Sequence, residues 1–173
     1  MVQYLKDDTS ALRVFTAGRK GLGVRATRGI RQGEFVCAFS GSHMDQITAK
    51  TVAYLQASAW NHIYVMIVRE FIGDNIHPVF ESAVDGVREA INNYVPHPLT
   101  CRINHSCEPN MTVVPVRVNS TQPIMALFAI RDIAAHEELS YDYTEKSREV
   151  AIPPCKQCLC GAWKCRRLLP HFV

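Results

Sequence analysis

No run of about 20 apolar residues occurs in the sequence, which excludes a membrane-spanning helix. The sequence also has no internal repeat and no low-complexity tract, which argues against a repeat architecture. The first ten residues are polar and include Asp7 and Asp8, unlike the apolar segment of a secretory signal peptide. The formal net charge is only +3, too small to indicate nucleic-acid binding by itself, although a basic partner remains possible.

The composition that is present is typical of one globular domain. The 173 residues are 47% hydrophobic and 20% charged, which suits a single core. Short β-branched and aromatic runs, separated by turn-rich stretches, predict strands at residues 12–16, 35–39, 63–70, 111–118 and 124–130. We therefore expect a mostly β fold with short helical inserts.

The first helical insert is predicted at residues 45–58. Asp45 or Thr48 could cap its N-terminus, since either side chain can accept a hydrogen bond from the first turn. Helical periodicity predicts that one face carries the larger apolar side chains Ile47, Val52 and Leu55.

A second helix is predicted at residues 84–94, where apolar residues recur at i, i+3, i+7 and i+10, although Gly86 weakens it. The acidic residues around it could line an approach for a basic peptide. We favour the simpler interpretation that they keep an exposed insert soluble; they are Asp74, Glu81, Asp85 and Glu89.

The seven cysteines are unevenly distributed. Cys37, Cys101 and Cys107 are scattered, whereas the other four lie in the last 19 residues. Without a signal peptide we expect a reducing compartment, where clustered thiols bind metal more often than they form disulfides. Cys37 and Cys101 are interpreted as small buried hydrophobic residues.

The C-terminal tail contains the spacing of a structural zinc site. Cys158, Cys160 and Cys165 supply three thiolates within eight residues, and tetrahedral zinc needs a fourth ligand. The spacing leaves that ligand open between Cys155, His171 and a distant thiol such as Cys107. Cys155 is nearest in sequence, whereas Cys107 would pin the tail onto the body of the domain.

Four motifs stand in order along the chain. A Gly-x-Gly turn occupies residues 20–26, and Asn-His-Ser-Cys-x-Pro-Asn occupies residues 104–110. Glu-Leu-x-Tyr-Asp-Tyr follows at residues 138–143, and Cys-x-Cys-x4-Cys at residues 158–165. Together they resemble the SET-domain lysine methyltransferases over about residues 10–170. The resemblance is greatest to the subgroup of the suppressor-of-variegation and SET–mariner fusion enzymes.

The resemblance implies a fold and a domain organisation. The fold is the SET-domain β-clip, a set of small sheets through which the C-terminal part of the chain is threaded in a knot-like arrangement. The expected divisions are an N-terminal extension at residues 1–10, the SET domain at 11–146 with an insert at about 45–100, and a zinc-stapled post-SET tail at 147–173.

The resemblance also implies the site residues. It selects Cys107 as the fourth zinc ligand, beside Cys158, Cys160 and Cys165, and leaves Cys155 outside the set. Tyr143 matches the catalytic tyrosine, and Tyr141 the position at which the family carries Phe or Tyr. The residues that match contacts to the methyl donor S-adenosylmethionine are Lys20, Gly21, Leu22, Tyr54, Arg102, Asn104, His105 and Leu159.

The function that the resemblance implies is methylation of a lysine in a histone tail. Histone H3 is the expected substrate, with lysine nine slightly ahead of lysine thirty-six. Tyr141 implies mono- or dimethylation, since its hydroxyl takes space in the lysine channel. We expect a zinc-dependent nuclear and chromosomal enzyme that is a monomer, with a nucleosome contact as a further possibility.

Two departures from the family pattern support an alternative. Phe39 stands where relatives usually have a tyrosine that lines the lysine channel, and Leu22 replaces a bulkier residue. The sequence also shows no Cys-rich pre-SET region before the domain. These features favour a catalytically weak SET module that binds chromatin or a peptide.

Overall fold

A computed structural model describes residues 9–74, 77–87, 99–143 and 156–169. In this part of the chain ten strands form three small sheets, accompanied by one α-helix and short 3-10 turns. The mostly β architecture that the sequence predicts is therefore confirmed. The elements are β1 (Leu12–Thr16), β2 (Leu22–Ala26), β3 (Phe35–Phe39), β4 (Ser42–Met44), α1 (Gln46–Trp60), β5 (Val65–Glu70), β6 (Phe80–Asp85), β7 (Asn104–His105), β8 (Met111–Val116), β9 (Ile124–Ala129) and β10 (Ser140–Tyr141).

All five predicted strands are present, with ends that differ by at most two residues. The first two match β1 and β3 at both ends. Strand β5 begins at Val65, two residues later than predicted, and β8 ends at Val116, two residues earlier. The short strands β7 and β10 do not stand out in the sequence, because two-residue strands are too short to show periodicity.

The five-stranded sheet has the order β3-β9-β8-β10-β7 and carries the terminal tyrosines. Its first three strands are antiparallel, whereas β10 is parallel to both of its neighbours. Tyr141 pairs with His105 on one side and with Met111 on the other. Because β10 lies between β7 and β8, the polar loop at 106–110 and the tyrosines are held close together.

The side chain of Asn110 stabilises the position of β10 between β7 and β8. Its side chain is buried and donates to the carbonyl of Glu138 at 2.8 Å and to the carboxylate of Glu137 at 3.0 Å. The amide oxygen of Asn110 accepts from the backbone N–H of Ser140 at 2.9 Å. One side chain thus satisfies polar groups of the incoming β10 segment that would otherwise be buried without partners.

Helix α1 begins and ends with capping interactions. Asp45 is the N-cap and accepts from the backbone N–H of Thr48 at 2.9 Å, as the sequence predicted. Asn61 ends the helix in the left-handed conformation, a role for which asparagine is well suited.

The face of α1 that carries Ile47 and Leu55 is not the face that is buried. Ile47 and Leu55 are 80% and 58% exposed, while the buried residues are Ala49, Ala53 and Gln56. The helix packs on β5 and β6 through a cluster of small residues, against which Val52 is partly buried.

The predicted second helix is also wrong in its described part. Val84 and Asp85 end strand β6, which pairs with β5 along its full length and with β4 on the other edge. Cross-strand pairing on both sides overrides the helical spacing of the apolar residues. Residues 88–94 lie outside the described residues.

Most of the larger apolar side chains belong to one core between the hairpin β1–β2 and the five-stranded sheet. It includes Cys37 and Cys101, which are buried as the sequence predicted, and it extends to Tyr141. Tyr143 packs against the same cluster. No helix in the described part of the chain is long and apolar enough to cross a membrane.

Candidate active site and metal centre

The structure brings four thiols together from two distant parts of the chain. The sulfur atoms of Cys107, Cys158, Cys160 and Cys165 all lie within 4.8 Å of one another. The sulfurs of Cys107 and Cys158 are 3.9 Å apart. Of the three candidates for the fourth ligand, Cys107 belongs to the cluster, whereas Cys155 and His171 lie outside the described residues.

The arrangement of the four thiols fits a tetrahedral zinc ion. With Zn–S bonds of about 2.3 Å, the sulfurs of a regular tetrahedron are about 3.8 Å apart. The measured separation of 3.9 Å is close to this value. Four thiolates this close would repel one another strongly without a cation between them. A structural zinc ion there would tie the tail to the loop at 106–110.

Backbone N–H groups of the tail point at the sulfurs. Arg166 donates to Cys107 Sγ and Arg167 to Cys165 Sγ, each at 3.4 Å. Burial opposes ionisation of Cys160, but the N–H groups of Cys107 and Ala162 outweigh it and lower the pKa of this thiol to about 6. The N–H groups, together with the thiols of Cys158 and Cys165, therefore favour the thiolate form of Cys160, whereas burial raises the pKa of Cys158.

His105 lies between the thiol cluster and the terminal tyrosines. Its side chain is 2% exposed, and Nδ1 accepts from the backbone N–H of Tyr143 at 3.2 Å. Burial lowers the pKa of the imidazole to about 4, with Asp142 acting against the shift and Arg166 with it. The ring is then neutral at neutral pH, so Nε2 carries the proton. That nitrogen is 3.2 Å from Cys107 Sγ and can donate to it.

Tyr143 is fixed by its hydroxyl as well as by its backbone. The phenol donates to the carbonyl of Ile103 at 2.7 Å. Burial is the main cause that raises the pKa of Tyr143 far above its ordinary value, and Cys101 and Tyr64 add to it. The group is therefore a neutral phenol at neutral pH, and its oxygen keeps lone pairs that can accept a hydrogen bond.

Tyr141 stands directly beside Tyr143. The two ring centroids are 4.8 Å apart with an interplanar angle of 43°, as expected for residues i and i+2 on one face of a strand end. Tyr141 is buried, and burial again is the main cause that raises its pKa. The pair forms a wall of neutral hydroxyl-bearing rings.

The Gly-x-Gly turn contacts the polar motifs through side chains. Lys20 forms an ion pair with Glu138. Asn104 donates both to the carbonyl of Leu22 at 3.2 Å and to Glu138 at 3.0 Å. A Cβ on Gly23 would lie only 2.9 Å from the Asn104 amide nitrogen, so glycine is needed for this close approach. Gly21 has a φ of +81°, which also favours glycine.

The remaining predicted cofactor contacts lie in three places. Leu159 lines an open depression of about 590 Å³ on the tail, together with Gly161 and Trp163. Arg102 ends the 3-10 turn Leu99–Arg102 that leads into β7. Tyr54 lies on α1 with 69% of its surface exposed. Cofactor contacts by these residues stay predictions.

Several polar residues around the tyrosines were not singled out from the sequence. Asp142 lies between Tyr141 and Tyr143 and forms an ion pair with Arg166, at 2.6 Å between Oδ1 and Nη2. Tyr64 packs against the core beside Tyr143, and burial raises its pKa. Asp142 lies inside one motif and Arg166 directly follows another, which could have indicated their importance, but their pairing depends on the fold.

Comparison with known proteins identifies the family. The SET domain family model matches residues 21–144. Histone-lysine N-methyltransferase SETMAR of Mus musculus is 36% identical over 170 residues, covering 92% of this chain and 52% of that protein. Histone-lysine N-methyltransferase Su(var)3-9 of Drosophila melanogaster is 31% identical over 163 residues, covering 89% of this chain and 24% of that protein.

Solved structures agree with this assignment. The crystal structure of the methyltransferase domain of human SETMAR aligns with a TM-score of 0.73 at 32% identity, covering 92% of this chain and 57% of that chain. This chain spans about half the length of the mouse relative. The resemblance to both named subgroups that the motifs indicated is confirmed.

Proposed function

This chain belongs to the SET-domain family, and we propose that it transfers a methyl group from S-adenosylmethionine to the side-chain amine of a histone lysine. The observation that supports this most is the position of His105, which contacts Cys107 of the thiol cluster and the backbone of Tyr143. The thiol cluster and a neutral tyrosine therefore lie on either side of one imidazole.

The proposed contacts to the donor come from two parts of the chain. Lys20, Gly21 and Leu22 lie in the turn that Asn104 binds, and Leu159 lies on the tail beside the thiols. S-adenosylmethionine, when bound, supplies an electrophilic methyl group on a positively charged sulfur. The chain contributes position and electrostatics, which account for most of the acceleration in reactions of this kind.

The acceptor amine must be neutral to attack. A lysine amine has an ordinary pKa near about 10.4, so the site must disfavour its ammonium form by burial and by nearby positive charge. The Tyr143 hydroxyl donates its hydrogen bond to the Ile103 carbonyl. Its oxygen can therefore accept an N–H from the amine and direct the amine lone pair toward the methyl group.

The substrate that we favour is the histone H3 tail, with lysine nine ahead of lysine thirty-six. The relatives are named as histone-lysine methyltransferases, which supports a histone substrate. Such a substrate implies that the enzyme acts in the nucleus on chromosomal protein, with a nucleosome contact as a further possibility. We propose a monomer, because Tyr141 and Tyr143 belong to one chain. Tyr141 places a hydroxyl beside the catalytic position, which favours mono- and dimethyl products.

The proposal is tested with labelled methyl donor and peptides that cover the H3 tail. We expect transfer to a peptide that contains lysine nine. Tyr143→Phe should reduce kcat by ~100-fold, because one oriented polar group is lost from the reacting centre. The variant should keep its zinc content and melting temperature. Unchanged transfer by Tyr143→Phe would remove this residue from the mechanism.

A second candidate function is supported by Phe39. This residue is buried in the core at the edge of the five-stranded sheet, and it offers no hydroxyl where relatives have a tyrosine. A SET module with weak or no turnover would bind a peptide without modifying it. Peptide binding with no methyl transfer, measured on the same panel, would favour this alternative.

A further inference from the structure

We propose that Arg166 is a positioning residue that holds the metal-binding tail against the strand end that carries the catalytic tyrosine. This role rests on the methyl transfer proposed above, because Tyr143 has to be the catalytic group for its position to matter.

Arg166 makes contacts in two directions. It follows directly after Cys165, and its backbone N–H donates to Cys107 Sγ at 3.4 Å. Its guanidinium donates to Asp142 Oδ1 at 2.6 Å. Asp142 is the residue between Tyr141 and Tyr143. One residue of the tail therefore connects the thiol cluster to the segment that carries both tyrosines.

The same guanidinium lies beside His105. Its Nη2 is 3.5 Å from Nε2 of the imidazole, and the other ring nitrogen of His105 accepts from the backbone N–H of Tyr143. Asp142 is 3.7 Å from that same ring nitrogen. The carboxylate and the guanidinium therefore pack beside the neutral imidazole without a hydrogen bond to it, and the direct link between the tail and the tyrosine segment is the Arg166–Asp142 ion pair.

The expected role is geometric. The side chains of Arg166 and Asp142 are 46% and 18% exposed, and ion pairs with this much solvent contact contribute little to global stability. The pair instead fixes the direction of approach between two segments that lie far apart in sequence. Small displacements of reacting groups reduce rates strongly even where binding is retained.

A double-mutant cycle on the full chain tests this role. We expect Arg166→Gln and Asp142→Asn each to lower kcat by ~10-fold with little change in the peptide KM. Each should also release zinc to an excess of chelator faster than the unmodified chain, by ~10-fold. The double variant should be no worse than either single variant in both measurements, because both substitutions remove the same contact.

Two further variants separate positioning from general disruption. Arg166→Lys keeps the charge and should recover part of the lost kcat. Arg28→Gln is the matched control, because Arg28 forms an ion pair of the same 2.6 Å length with Glu34 in the β2–β3 connection. It should change neither zinc release nor kcat.

The outcomes distinguish the two proposals. Absence of methyl transfer by the unmodified chain would reject the proposed function, while the zinc-release cycle would still decide whether Arg166 and Asp142 act together. Additive effects of the two substitutions on zinc release, or equal kcat values for Arg166→Gln and the unmodified chain, would overturn the positioning role.

Discussion

The sulfur of Cys107 lies 3.9 Å from the sulfur of Cys158, although 51 residues separate them in sequence. The contact joins the loop after β7 to the C-terminal tail. In the same region Arg166 of the tail contacts Asp142, the residue between the two terminal tyrosines. The thiol cluster and the segment that carries the tyrosines are therefore connected through residues of the tail.

Replacing Cys107 tests whether this residue is a zinc ligand. We expect Cys107→Ser to weaken zinc binding by more than the ~10–100-fold that loss of an outer-shell partner costs, because a direct ligand is removed. Metal content and chelator competition measure the effect. Cys101→Ser is the control, since Cys101 is a buried thiol outside the cluster. A Cys107→Ser protein that binds zinc as tightly as before would indicate Cys155 as the ligand instead.

Tyr141→Phe is expected to change the product more than the rate. Removing the hydroxyl leaves room beside the acceptor nitrogen, since the Tyr141 ring is only 4.8 Å from that of Tyr143. The reacted peptide should then carry more trimethyl-lysine than the peptide reacted with the unmodified chain. Mass spectrometry of the peptide at equal conversion measures this, and an unchanged product distribution would contradict the role given to Tyr141.

Gln56 supports a buried polar cluster behind the active site. It donates to Asp85 at 2.9 Å, and its carbonyl accepts from the backbone N–H of Tyr64 at 2.7 Å. Gln56→Ala should lower the free energy of unfolding by about 2–3 kcal/mol, because Asp85 loses a partner while it stays buried. Urea unfolding measures the change. Lys50→Ala, on an exposed position of α1, should change stability by less than about 0.5 kcal/mol.

The lowered pKa of Glu137 predicts that the stability of the fold depends on pH. Burial opposes ionisation, but Arg131, Asn110 and the backbone N–H of Ala134 outweigh it and lower the pKa of this carboxyl to about 2. The unfolded chain binds the proton more readily than the folded one. The contribution is therefore complete above pH about 4.5 and is lost as the pH falls toward 2.

The size and the test of this contribution follow from the shift. A depression of this extent would correspond to about 3 kcal/mol without solvent screening, and to ~1–2 kcal/mol with it, because the side chains of Arg131 and Glu137 are 51% and 29% exposed. The stability difference between the unmodified chain and Glu137→Gln should fall by more than half between pH 7 and pH 3. Urea unfolding at both values measures it, and a difference that is independent of pH would refute the linkage.

The sequence by itself determined the family, the order of its motifs and the positions of the long strands. Strands β1 and β3 have the predicted ends because a run of β-branched and aromatic residues between turns is a local pattern. Asp45 was identifiable as a cap for the same reason, since its partner Thr48 is three residues away. The choice of Cys107 over Cys155 came from resemblance, because spacing alone left both open.

Only the tertiary structure decided which distant groups meet. Asp85 was expected on an exposed insert, yet it is buried. Its carboxylate accepts hydrogen bonds from the Gln56 side chain and from the N–H of Val87, which compensate for the loss of water. The face of α1 that packs carries Ala49 and Ala53, whereas Ile47 is exposed. The Arg166–Asp142 pair depends on a tail that folds back over the tyrosines. Such contacts join segments far apart in sequence, and local patterns carry no information about them.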